Sequence, residues 1–118
     1  MMNIKALIVE DDLAFITLIR LALKDLALEL HVTRDGNEAL ALLQENIFDL
    51  VITDYRLPNA DGIEIIKATA KYSPNCRIIL MSATKVSSLP KLDDLPLLGC
   101  IEKPFSPIQF RRLVTEAF

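Results

Sequence analysis

Asp54 stands at the end of the apolar run Leu50-Val51-Ile52-Thr53 and just ahead of turn chemistry at Pro58, Asn59 and Gly62. A run that is apolar at every position, and not at alternate ones, reads as a strand covered on both faces, as in a parallel sheet. An acid where such a strand meets its loop lies at the carboxyl edge of the sheet, where open α/β folds place their ligands. A carboxylate there is exposed enough to react and rigid enough to be aimed, so Asp54 reads as a nucleophile. Other chemistry-bearing residues sit in the same kind of place. Glu10 and Asp11 end the run Lys5-Ala-Leu-Ile-Val9, Ser82 follows Met81, and Lys103 follows Ile101 and Glu102. If these strand ends converge, the carboxylates repel, raise one another's pKa values and make a cation site. Oxygen-only donors at a small, partly hydrated site favour Mg²⁺. A carboxylate nucleophile, a divalent metal, a hydroxyl and a lysine are the parts that phosphoryl transfer needs. The cations neutralise the phosphoryl oxygens and the hydroxyl donates to one of them.

The elements that must position these residues follow from periodicity. Lys5–Val9 reads as a strand. A helix is expected from Leu13 to Leu26, with Asp12 as N-cap and Ile16, Ile19, Leu23 and Leu26 on one face. Leu28–Thr33 alternates as a strand, Asp35-Gly36 turns, and Asn37–Glu45 is a helix with Ala39, Leu40, Leu42 and Leu43 inward. Leu50–Thr53 is the third strand. Asp61 or Gly62 opens a third helix, carrying Ile63, Ile65, Ile66 and Ala70, that stops before Pro74. Arg77–Met81 is the fourth strand, and Cys100-Ile101 lies in a short fifth. Ser106 and Pro107 give an N-cap and first-turn proline for a last helix through Ala117. Strands alternating with helices predict an α/β fold: a three-layer, doubly wound, five-stranded parallel sheet with right-handed crossovers covering both faces. In the strand order 2-1-3-4-5, Glu10, Asp11 and Asp54 straddle the switch point. The segment between Ser82 and Gly99 fits worst. It carries Pro90 and Pro96, so its helix, the fourth, is expected to be short or irregular, starting at Pro90 and ending before Pro96.

Length and composition narrow the classes. The 118 residues suit one domain with one core, and 52% hydrophobic with 25% charged residues describes a chain that folds. A formal charge of −3 with scattered Lys and Arg gives no basic footprint, which argues against a direct nucleic-acid partner. No apolar stretch is long enough to span a bilayer, and the N-terminus does not read as a signal peptide. Cys76 and Cys100 read as two buried free thiols in a reducing cytoplasm; without nearby His they make no zinc site. His31, mid-strand and remote from the carboxyl edge, reads as a packed or half-exposed histidine.

Four motifs, each at the end of a predicted strand, occur in order: Ile-Val-Glu10-Asp11-Asp12, Asp54-Tyr-Arg-Leu-Pro58 with Asp61-Gly62, Met81-Ser82-Ala83, and Lys103-Pro104-Phe105. Singly they are unspecific, since acids at strand ends are often caps and a lone Ser or Lys is ordinarily a loop or surface group. Together, over essentially the whole length, they resemble the CheY-like receiver domains of bacterial two-component response regulators. The resemblance implies the flavodoxin/CheY-like fold and a phosphorelay in which Asp54 is the phosphoacceptor. The phosphodonor would be a phosphohistidine of a histidine kinase or a histidine phosphotransfer protein. Glu10 and Asp11 would be the acidic pair, and Asp11, Asp54 and the backbone carbonyl of Arg56 would hold Mg²⁺. Ser82 would be the switch hydroxyl and Lys103 the phosphate-contacting lysine, with Lys103-Pro104 a peptide bond that is often cis in the family. The protein would be a cytoplasmic signalling domain, not an enzyme acting on an outside substrate. It would switch a downstream protein target as a monomer or as a phosphorylation-dependent dimer. The chain ends just after the last helix, so no output domain is expected.

Two departures from the family pattern bear on the read-out. Receivers commonly carry an aromatic residue three positions before the lysine, and here that position is Cys100. Pro90 and Pro96 disturb the neighbouring helix, which in many receivers belongs to the output face. The first helix offers another surface. Its polar stripe at Thr17, Arg20 and Lys24 is narrow and flanked by Ala14, Leu18 and Leu21, and in receivers this helix resembles the docking face for kinases and phosphotransfer proteins. Two rival readings stand beside the receiver. A phosphorylation-independent pseudo-receiver would keep only the fold. An Asp-nucleophile phosphatase of the haloacid-dehalogenase type would want a second acid at position 56, which is Arg, and a substrate-covering cap.

Overall fold

The computed structural model describes residues 3–89, 92 and 94–118. Five strands, β1 (Ile4–Val9), β2 (Leu28–Thr33), β3 (Leu50–Asp54), β4 (Arg77–Ser82) and β5 (Gly99–Glu102), alternate with α1 (Leu13–Ala22), α2 (Gly36–Glu45), α3 (Gly62–Tyr72) and α4 (Pro107–Glu116). All pairings are parallel, and the order is β2-β1-β3-β4-β5. Val9 lies opposite Thr53, and Asp54 opposite Met81, so the acid-bearing strand ends are level with one another.

Successive residues of the inner strands feed opposite cores, as the pleat requires. Ala6, Ile8, Leu50 and Ile52 join Ile19, Leu23, Phe110 and Val114 beneath α1 and α4. Leu7, Val9 and Val51 join Ala39, Leu43 and Ile65 beneath α2 and α3. Every residue of β3 is buried, which explains why its run is apolar without alternation. Each helix starts on a side-chain cap. Asp12, Asp35, Asp61 and Ser106 accept from the backbone amides of Ala14, Asn37, Glu64 and Gln109, and Pro107 fills the first turn of α4.

The structure departs from the sequence expectation in four places. First, α1 ends at Ala22 and not at Leu26. The Ala22 carbonyl, which a continuing helix would offer to the Leu26 amide, accepts instead from Arg111 Nη1 of α4 at 3.0 Å, and Leu26 N–H turns back to Leu23 O. Second, the only helical turn among the described residues between β4 and β5 is the 3₁₀ turn Val86–Ser88, before the expected position. The expected start at Pro90 lies outside the described residues. Here Leu89, Leu92, Leu95 and Leu97 pack over Ile66, Ile78 and Leu80, so leucines of this segment supply an apolar cover. Third, Cys76 and Cys100 are free but only half-buried. Burial still pushes the Cys76 thiol up to about 12, and burial raises Cys100 as well. Fourth, Leu40 and Leu42 of α2, expected inward, are only partly buried. No helix among the described residues is long and apolar enough to cross a membrane.

Gly62, the first residue of α3, lies against the backbone that follows Asp54. A Cβ there would come within 2.5 Å of the Asp54 carbonyl oxygen and 2.9 Å of Tyr55 Cα. Only backbone could give way. Gly62→Ala is therefore expected to cost about 1–3 kcal/mol of stability by overpacking, read as a lower urea midpoint with an unchanged slope.

Candidate functional site

The ends of β1, β3, β4 and β5 bring the predicted residues together. Glu10, Asp11 and Asp54 each offer a carboxylate oxygen, all within 4.8 Å of one another. Lys103 reaches into the same group. Its Nζ lies 3.1 Å from Asp54 Oδ2 and in direct contact with Glu10 Oε1, and its side chain is only 8% exposed. Three carboxylates against one ammonium leave a formal charge of −2, which matches a divalent cation. The donor set is hard oxygen throughout, so these residues fit Mg²⁺.

Burial, and not mutual repulsion, is the first cause of the Glu10 shift. Desolvation raises its carboxyl pKa, and the hydrogen bond from Lys103 and that from the Asp12 amide offset only part of this. The charge of Asp54 adds a smaller push in the same direction. The sequence expectation named repulsion alone and so missed the larger cause. For Lys103, desolvation acts to lower the pKa, but the hydrogen bond to Glu10 and the negative charges of Asp54 and Glu10 outweigh it. The ammonium therefore titrates above its ordinary value and stays charged.

Asp54 is held by both oxygens. Oδ1 accepts from the Tyr55 amide at 2.9 Å, and Oδ2 accepts from Lys103. Beside it opens a pocket of about 100 Å³ lined by Asp54, Tyr55, Arg56, Ser82, Ala83 and Thr84. Arg56 thus lies on the pocket wall; its backbone pairs with Asp61, and its guanidinium stands 5.8 Å from the centroid of the Tyr55 ring. Ser82 also lines the pocket, where Oγ donates to Thr84 O at 2.8 Å and accepts from Thr84 N–H at 3.0 Å. To donate toward a group on Asp54, that hydroxyl must give up the Thr84 carbonyl. His31 is remote from this edge and pairs with Glu29 at 2.8 Å.

Phe15 and Arg34 were not picked out from the sequence, and Asp35, Gly36, Pro58 and Asn59 were read only as turn residues. Phe15 of α1 lies against the Lys103 ammonium. Arg34 donates through Nε and Nη2 to the Asp11 carbonyl at 3.1 and 3.0 Å, tying the loop that carries the acids to the end of β2. Asp35 accepts twice from Asn59 Nδ2, at 3.1 and 3.0 Å, and Gly36 N–H donates to Pro58 O. The loop after β2 therefore braces the loops after both β1 and β3. Asn59 adopts a φ of 69°, a conformation that Asn tolerates better than most residues. The Asp-Gly pair and the Pro-Asn pair marked these as turns, but nothing local pairs one turn with another.

A family model described as the response regulator receiver domain matches residues 6–115. Among curated relatives, sporulation initiation phosphotransferase F of Bacillus subtilis (strain 168) is 30% identical over 97% of this chain and 93% of its own length. The transcriptional regulatory protein ZraR of Salmonella typhimurium is 30% identical over 94% of this chain. The chain spans only a quarter of the length of that regulator. Among solved structures, the chemotaxis response regulator CheY4 of Vibrio cholerae aligns with a TM-score of 0.80 at 25% identity, covering 99% of this chain and all of that one.

The Asp35–Asn59 brace has a measurable signature. The Asn59 amide, and then the Asn37 backbone amide, hold the Asp35 carboxyl below its ordinary value of 3.8. A depressed folded-state pKa contributes stability that is present above the unfolded value and is lost as pH falls through the folded one. Asn59→Ala is expected to return Asp35 toward 3.8 and to reduce the stability lost on acidification. Carboxyl-carbon NMR titration of Asp35 in the two proteins checks it.

Proposed function

Because the chain belongs to the response regulator receiver family, the phosphorylation-accepting domains of two-component signalling, we propose that Asp54 is its phosphoacceptor. The donor in this reading is a phosphohistidine of a sensor kinase or a histidine phosphotransfer protein. An Asp54 carboxylate oxygen attacks phosphorus, a P–O bond forms, and the P–N bond breaks. The imidazole leaves with that electron pair and departs neutral, its other ring nitrogen already protonated. Later a water attacks phosphorus and the P–O bond to Asp54 breaks, returning the carboxylate and inorganic phosphate.

The observation that carries the reading is one ammonium, that of Lys103, shared by Asp54 and Glu10 inside a cluster of three carboxylates. Lys103 neutralises charge on the phosphoryl oxygens as they approach an otherwise anionic edge. Ser82 donates to one of them after releasing the Thr84 carbonyl, and this exchange biases the β4–β5 region between two arrangements. Glu10, Asp11, Asp54 and the Arg56 carbonyl would hold Mg²⁺, which when bound supplies further charge neutralisation and orientation of the phosphoryl group. The 118 residues act as one receiver domain whose only catalysis is on its own phosphorylation state. The partner side of α1 supports the docking role: Leu13 and Leu21 are exposed there, while Leu18 is partly covered. Two free thiols fit a cytoplasmic setting. The output is a downstream protein that binds one arrangement better than the other.

Intact-mass spectrometry after incubation with acetyl phosphate and Mg²⁺ tests this reading. The parent is expected to gain one phosphoryl group and Asp54→Asn none. A parent that gains none, and does not bind Mg²⁺, would favour a phosphorylation-independent interaction module.

A further inference from the structure

Lys103 faces a geometric problem that charge alone does not solve. It leaves the end of β5, which lies two strands from β3 and three from β1. At about 4.8 Å per strand, the Asp54 strand is about 10 Å away and the Glu10 strand about 14 Å. A flexible four-carbon stem has to lean inward and keep one direction among many rotamers. Glu10 and Asp54 both attract the ammonium, and a third contact to it would narrow its position further.

Phe15, in the first turn of α1, meets that need. The ammonium lies 4.3 Å from the centroid of its ring. The other four cation–ring approaches among the described residues are longer, from 5.1 to 5.8 Å. The face of an aromatic ring attracts a cation, and does so more strongly where water is excluded, as it is around this nearly buried ammonium. The ring is itself held. Its centroid lies 5.5 Å from that of Phe105, which stacks at 5.1 Å on Phe110, and both partners are buried. Phe105 is two residues beyond Lys103, so one short segment supplies both the cation and a wall for the ring that holds it. Phe15 shares the inward face of α1 with Ile19 and Ala22 and packs at the margin of the core, yet it stays only partly buried, at the end of the helix nearest the acids.

We propose that Phe15 is a positioning residue of the phosphoacceptor site, its ring face holding the Lys103 ammonium in place beside Asp54. The inference rests on the reading of Asp54 as acceptor and Lys103 as its cationic partner. It also makes α1 a direct neighbour of the chemistry, through one ring.

Three variants of the full chain test it: Phe15→Leu, Phe15→Tyr, and pentafluorophenylalanine incorporated at position 15, which keeps the ring's shape but removes its negative face. Two quantities are read in each: the NMR shift of the Lys103 ε-protons, which a ring this close displaces upfield, and the rate of phosphoryl uptake from acetyl phosphate. Phe15→Leu is expected to lose the upfield shift and to slow uptake about five- to tenfold, the size of a partly desolvated cation–π contact. Phe15→Tyr is expected to retain both, and the fluorinated ring to slow uptake as Leu does. Parent-like uptake in Phe15→Leu, or slowed uptake with an unmoved Lys103 ε-proton shift, would overturn the proposal. So would parent-like uptake with the fluorinated ring, which would reduce Phe15 to shape. The ε-proton shift needs no phosphorylation. A parent that shows the shift but takes up no phosphoryl group would therefore sink the acceptor reading and leave the Phe15–Lys103 contact standing.

Discussion

A buried positive charge that two acids must share governs this structure. Lys103 enters a pocket where Glu10 is inaccessible to solvent and Asp54 nearly so, and its ammonium contacts both. Ions are expensive to desolvate, and taking one partner from a buried pair typically costs about 3–5 kcal/mol because the other is left uncompensated. The cluster is thus stable only as a set. With one ammonium for three carboxylates it also keeps a residual negative charge, a standing attraction for a further cation. Like charges that would drive an ordinary surface apart are here held together around one ammonium.

Rigid support makes that arrangement affordable. The acids sit at the ends of two neighbouring central strands, β1 buried from Ala6 to Val9 and β3 throughout, and a buried β3 leaves Asp54 little freedom. The loops are less constrained by the sheet, and polar ties take over there. Arg34 fixes the Asp11 carbonyl, and the Asp35–Asn59 pair with the Gly36 amide fixes the turn after Asp54. On the far side, Ser82 is tied to Thr84 by two hydrogen bonds confined to its own loop. The two sides of the site therefore differ. One is braced across loops, while the other holds its hydroxyl by a local pair that a new acceptor on Asp54 could replace.

The connection between β4 and β5 shows how leucines can cover a sheet where the described residues form only one short helical turn. A helix there would bury a stripe of leucines on the sheet. Leu89, Leu92, Leu95 and Leu97 reach the same apolar surface, although the 3₁₀ turn Val86–Ser88 is the only helical turn among the described residues there, because burial depends on area and not on periodicity. Cys100 joins that leucine layer.

By itself the sequence determined the strand runs, their parallel pairing, the helix caps and the four motifs at strand ends, because these depend on local pattern: unbroken apolar runs, Asp and Ser before helices, acids after strands. Right-handed crossovers alone allow more than one strand order, so which residues meet was legible only through the order 2-1-3-4-5 that the family resemblance implies. Only the tertiary structure decided where α1 stops, because Arg111, 89 positions from Ala22, takes the carbonyl that would have continued the helix. It likewise decided that burial, more than repulsion, sets the state of Glu10, and that Phe15 and Arg34 belong to the site. Each of these rests on a contact between segments far apart in the chain. Neither partner's neighbours in sequence carry any trace of it, so only the packed chain reveals it.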